Sequence, residues 1–101
     1  MTDQETKEEP SYALSNDPQF RTAYVTGAYG GLDPNGGQIV FYLDNFEPRV
    51  EEKTGVMNIG RIRRNQIIDI RMSPHQFISI AEWMMSHAEA YKKQMQNEKL
   101  P

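Results

Sequence analysis

Cysteine is absent from this 101-residue sequence. Disulfides, thiolate metal sites and cysteine nucleophiles are excluded together. Histidine occurs only as His75 and His87, so an all-protein zinc site would need carboxylates beside both. No apolar run approaches the roughly 18 residues that a bilayer-crossing helix requires. Met1 to Pro10 is polar and acidic, the reverse of a secretory leader, which predicts a cytoplasmic protein without membrane contact. Nucleotide-binding motifs are missing too. No Gly-x-Gly-x-x-Gly follows a strand and opens a helix, and no Gly-Lys-Ser/Thr occurs. No cofactor is expected.

Net charge is small and unevenly placed. The formal net charge is -3. Asp3, Glu5, Glu8 and Glu9 against Lys7 account for all of it, so the remainder is neutral. A neutral body with an acidic tail is a poor general nucleic-acid binder. The local exception is Arg61, Arg63, Arg64 and Arg71, with only Asp69 among them. They read either as a solvated strand face beside the mildly acidic stretch Asp44 to Lys53, or as possible phosphate contacts.

What is present is enough for one small domain with a modest core: 38% hydrophobic and 25% charged residues in 11.7 kDa. Residues 1–18 read as an acidic flexible segment, 19–96 as a single α+β domain, and 97–101 as a frayed C terminus. Tyr24, Val25, Thr26 and Tyr29 suit a strand over Arg21–Tyr29, stopped by Gly30 and Gly31. Leu32 to Gly37 is a dense turn signal, longer than a two-residue hairpin link, with Asn35-Gly36 suited to positive φ. Its antiparallel partner is Gln38–Phe46, ended by Glu47-Pro48. Ile39 to Leu43 is apolar on both faces, which predicts a central strand. Residues 49–56 carry charge and Gly55 and mark a connection. Val56–Met72 is the third extended region, with Ile68, Ile70 and Met72 on one face and Ile67, Asp69 and Arg71 on the other. Val56, Ile59 and Ile62 break that alternation, so Gly60 or Arg64-Asn65 marks a bulge or a turn.

The helix follows directly. Ser73 is an N-cap, Pro74 stands at N1 and Gln76 completes a capping box. The periodicity runs to about Met95, with Phe77, Ile80, Ala81, Met84, Met85, Ala88, Tyr91 and Met95 in one broad arc. The fold class predicted is α+β: an antiparallel sheet of about three strands followed by one long C-terminal amphipathic helix packed on it. The helix is longer than such a sheet, and the central strand has a second apolar face. A twofold partner is the economical cover, with the N-terminal segment folding back as the internal alternative.

Candidate chemical sites each have a plain structural reading. His75 and His87 are twelve helical positions apart, about 18 Å and 120°, too far to share a metal. His75 reads as a surface residue of the first turn, and His87 as packed or interfacial near Trp83. The glycines from Gly27 to Gly37 read as hairpin residues, and Asp33, Asn35 and Gly37 fit a calcium loop poorly. Asp44 and Glu47 read as solvated strand-end carboxylates. Trp83, His87, Tyr91 and Met95 form a possible protein interface, the methionines adding adaptable surface.

Met72-Ser73-Pro74-His75-Gln76, preceded by Ile67 to Arg71, resembles the closing strand and helix start of the DUF3467 family of small, uncharacterised prokaryotic proteins. Ile39 to Leu43 with Asn45-Phe46 resembles an earlier strand of that family, and the likeness covers residues 20–95. The Gly30–Gly37 and Arg61–Gln66 stretches depart from its pattern. The resemblance implies a β-rich body followed by a helix and assigns no chemistry.

Three functions are weighed. The first is a non-enzymatic homodimeric interaction or assembly protein, with a possible further protein partner. The second is a nucleic-acid-associated module contacting phosphates through Arg61, Arg63, Arg64 and Arg71, with Tyr29 or Tyr42 stacking on bases. The third is an enzyme with a pocket at a subunit boundary. The first is expected, with no catalytic residues, no metal and no cofactor.

Overall fold

Asp33-Pro34-Asn35-Gly36 supplies what a tight turn needs. Aspartate bonds back to the backbone, proline fixes φ, and glycine takes the fourth place. In the computed structural model, which describes residues 9–99, this tetrapeptide closes the first hairpin. Asp33 Oδ1 accepts the Asn35 N–H at 2.8 Å, and Gly36, not Asn35, takes the positive φ. Strands β1 (Gly27–Asp33) and β2 (Gly36–Val50) leave the turn antiparallel. The link is therefore only Pro34 and Asn35, shorter than expected.

Gly30 and Gly31 do not stop β1. They lie inside it, opposite Ile39 and Gln38. A methyl group on Gly30 would meet the Gln38 carbonyl, so glycine here allows close backbone approach. β1 also starts at Gly27 rather than Arg21, and residues 9–26 form neither strand nor helix. The Thr26 N–H donates to the Tyr42 carbonyl at 2.9 Å, and Thr26 Oγ1 accepts the Asp44 N–H at 2.9 Å. These bonds fasten the chain as it enters the sheet.

β2 passes the expected stop at Glu47-Pro48 and continues to Val50. Proline is tolerated because the ladder is already interrupted there by a bulge. Residues 51–56 form the connection, with Gly55 at φ +70°. Its N–H donates to the Glu51 carbonyl at 2.8 Å. β3 (Met57–Met72) is one strand antiparallel to β2, and the sheet order is β1-β2-β3. Two bulges bend it. Gly60 is the extra residue between Ile59 and Arg61, as expected, and Ile67 is the extra residue between Gln66 and Ile68. Arg64 and Asn65 stay in regular register. Because it is the bulge residue, Ile67 leaves the strict alternation and lines the same groove as Ile68 and Phe41.

Helix α1 (Pro74–Lys99) starts as its sequence dictates. The Ser73 N–H donates to Gln76 Oε1 at 3.3 Å, and the Gln76 N–H donates to Ser73 Oγ at 3.2 Å. This is the reciprocal capping box. The helix continues through residues 97–99, which were expected to fray; the acidic residues before Glu9, expected to be flexible, lie outside the described residues. At 26 residues it is about 39 Å long. Phe77 and Met84 line a groove with Gly30, Ile39 and Phe41 of the sheet, and Phe77 also fills the space above Gly37. The pairing register puts Gly37, Ile39, Phe41, Ile68, Ile70 and Met72 on this helix side. The opposite, open side carries Gln38, Val40, Tyr42, Gln66, Asp69 and Arg71.

Val40, at 7% exposure, is the only buried apolar side chain besides glycine among the described residues. The radius of gyration is 22.3 Å, against about 13 Å for a compact domain of this length. No helix among the described residues is long and apolar enough to cross a membrane.

Candidate functional site

β1 ends opposite Tyr42, but β2 and β3 continue together to Val50 and Met57. Residues from Leu43 onward therefore make a two-stranded arm, about 26 Å long, without a third strand. The two faces of the arm differ sharply. Asn45, Glu47, Arg49, Asn58, Arg61 and Arg63 share the helix-side face. On the open side, the cross-strand pairs are Phe46–Ile62, Pro48–Ile59 and Val50–Met57. The Gly60 bulge makes this possible: it shifts the alternation by one, so that Met57, Ile59 and Ile62 align on a single face. All of these side chains are exposed, Ile59 by 60%.

The second unpartnered surface is the helix. Beyond its first turns, every described side chain is exposed, including Trp83 (61%), Met84, Met85, Tyr91 and Met95. Trp83 and His87 stack edge-on, with ring centroids 5.1 Å apart. Trp83, His87, Tyr91 and Met95 are all exposed and wind at i,i+4 steps over about 120° of the helix surface, and His87 packs against Trp83. His75 is exposed in the first turn. The N-terminal segment contributes a third apolar surface. Its residues 19–25 lie across the sheet near Phe41, Ile67 and Ile68, around a groove of about 430 Å³. Phe20 and Tyr24 remain largely exposed, and Leu14 is 98% exposed.

The four arginines do not gather. Arg61 and Arg63 are on the helix-side face of the arm, while Arg64 and Arg71 are on the open side, seven residues apart. Each holds a carboxylate. Arg61 Nε and Arg63 Nε donate to the two oxygens of Glu47 at 2.8 and 2.9 Å. Arg64 donates twice to Asp44, at 2.9 and 3.1 Å, and its guanidinium lies 3.9 Å from the centre of the Tyr42 ring. Arg71 pairs with Asp69, which also accepts from Gln38 Nε2 at 3.2 Å. The Arg64 hydrogen bonds hold the Asp44 carboxyl below its ordinary range. Those from Arg61 and Arg63 do the same for Glu47, and those from Arg71 and then Gln38 for Asp69. Asp44 and Asp69 each neutralise one arginine, whereas Arg61 and Arg63 share the single charge of Glu47, so the helix-side face of the arm, which also carries Arg49, keeps a net positive charge. Tyr29 and Tyr42 do share the open side, with ring centroids 5.6 Å apart, and Gln66 Nε2 donates to the Tyr29 hydroxyl.

No cluster of three or more His, Asp or Glu side chains able to hold a metal occurs among the described residues. The Phe46–Val50 and Met57–Ile62 strip was not singled out from sequence. Its signal was the broken alternation at Met57, Ile59 and Ile62, which becomes regular once Gly60 is counted out of the ladder. The chain matches no family model, and comparison with curated proteins and with solved structures yields no similar protein.

Proposed function

We propose that this protein is a non-enzymatic homodimeric interaction or assembly protein acting in the cytoplasm. The observation that carries the reading is the size of its uncovered surface. The accessible area is 9444 Å², whereas a folded monomer of 11.7 kDa exposes about 5,900 Å². Part of the excess belongs to residues 9–26, which form no element, and part to the uncovered arm and helix. The arm and the helix each carry a run of exposed apolar side chains, beyond the scattered ones of ordinary monomers. A second copy is always available at matching concentration, and twofold contacts are the commonest way to cover such surface. The four arginines are divided between two faces and three of their charges are offset by Asp44, Glu47 and Asp69, which favours this reading over a phosphate-binding one.

Light scattering on the size-separated protein tests this. The expected mass is about twice 11.7 kDa, held from tens of micromolar down to low micromolar. A stable mass of 11.7 kDa over that range would overturn the reading.

A further inference from the structure

We propose that the open face of the β2–β3 arm is covered by the C-terminal half of α1 from a second copy of this chain, the two copies exchanging these contacts about a twofold axis. This rests on the dimer reading above and specifies its contact. A two-stranded ribbon is marginal in water unless a further strand or a helix packs on it. The Phe46–Ile62, Pro48–Ile59 and Val50–Met57 pairs make that demand explicit, because they put six apolar side chains on one face.

The chain's own helix cannot answer it. α1 meets the sheet on the opposite side, and it does so at Gly37, Ile39 and Phe41, away from the arm tip. The helix in turn carries more apolar surface than its sheet covers. The stripe that brings Phe77 and Met84 to the sheet continues at helical spacing as Tyr91 and Met95, flanked by Trp83 and His87, all exposed.

The two surfaces match in size. Phe46 to Val50 spans about 13 Å along the strand. His87 to Met95 spans about 12 Å along the helix. A helix about 10 Å wide also fits a ribbon of two strands. They match in direction as well. The helix lies on one side of the sheet with its apolar stripe turned toward it, and the arm's apolar strip faces away on the other side. Both therefore look the same way, and a partner related by a twofold axis in the sheet plane, its sheet beside this one, meets arm with helix twice where the helix runs past its own sheet. Each copy gains a helix for its ribbon and a sheet for its helix, extending the helix-on-sheet packing already made by Phe77.

The absence of cysteine makes disulfide trapping a clean test. Full-length Ile59→Cys and Tyr91→Cys chains, tagged to differ in size, are co-expressed and oxidised. A second pair, Phe46→Cys with His87→Cys, samples an adjacent contact. Light scattering and circular dichroism confirm that each variant keeps the dimer mass and helix content. The expected result is a heterotypic disulfide several-fold more abundant than either homotypic one, in at least one pair. Ile59→Cys joined mainly to itself would mean arm against arm, and Tyr91→Cys joined to itself helix against helix; either overturns the proposal while keeping the dimer. A Leu14→Cys chain that captures Ile59→Cys in preference to Tyr91→Cys would make the N-terminal segment the occupant and overturn it likewise. Dimer mass with no heterotypic bond in either pair also overturns it, whereas a monomer mass for the unsubstituted chain overturns both readings.

Discussion

Gly30 and Gly37 are spaced along one packed region but are small for different reasons. At Gly30 a methyl group would meet a backbone carbonyl, that of Gln38. At Gly37 it would meet the Phe77 ring, which can turn, and the Phe77 Cβ, which moves only with the helix backbone. The clash with paired-strand backbone at Gly30 is the tighter one, so Gly30→Ala should destabilise more than Gly37→Ala. Overpacking of this kind costs about 1–3 kcal/mol. Denaturant unfolding of the two variants measures the order directly. Ser73 offers an independent check, because its hydroxyl accepts the Gln76 N–H without other packing duties. Ser73→Ala should cost about 1 kcal/mol and leave the sheet intact. The capping box was readable from Ser73, Pro74 and Gln76 because a cap is local chemistry. The roles of Gly30 and Gly37 were not, because they depend on what crosses over them.

The same division between local and distant causes separates the elements. The helix start and the central place of β2 follow from capping residues and from apolar side chains on both faces. Strand limits depart from the local signals where pairing overrides them. Gly30-Gly31 and Glu47-Pro48 look like stops, yet both lie inside strands whose partners hold them in register. The arm's apolar strip was hidden by the Gly60 bulge, which no pattern of period two includes. The arm also joins opposite charges across its strands, and this gives it a pH dependence. Asp44 and Glu47 in the arm, and Asp69 outside it with Arg71 on the same strand, are stabilised as carboxylates by their arginines, so their folded values lie below their unfolded ones. The stabilisation is therefore complete above the ordinary carboxylate range and is lost as pH falls through the depressed folded values, below about pH 4. The melting temperature should drop between pH 6 and pH 3. In Glu47→Gln, which frees both Arg61 and Arg63, the drop should be shallower and the value at pH 6 lower. An unchanged acid slope would separate the Glu47 pair from stability.

At the scale of the whole molecule, the shape itself is the thermodynamic argument. With Val40 as the only buried apolar side chain besides glycine among the described residues, a lone chain hides too little surface to offset the entropy of ordering its strands and helix. On the proposed dimer reading, folding and association are one equilibrium, and stability should depend on chain concentration. A hundredfold rise in concentration adds about 2.7 kcal/mol per dimer. For a unit of about 200 residues this raises the melting temperature by roughly 5–10 °C. The sole tryptophan reports on the same event. Trp83 is 61% exposed on one chain and sits on the helix stripe assigned to the partner's arm. Its emission should lie to the blue at high concentration and move to the red on dilution, in step with loss of helix by circular dichroism. A red emission at all concentrations with a dimer mass would place Trp83 outside the contact and move the interface to the Met85 flank of the helix. A melting temperature independent of concentration would mean that the isolated chain is stable as it stands, and the apolar arm would then have to be covered from within.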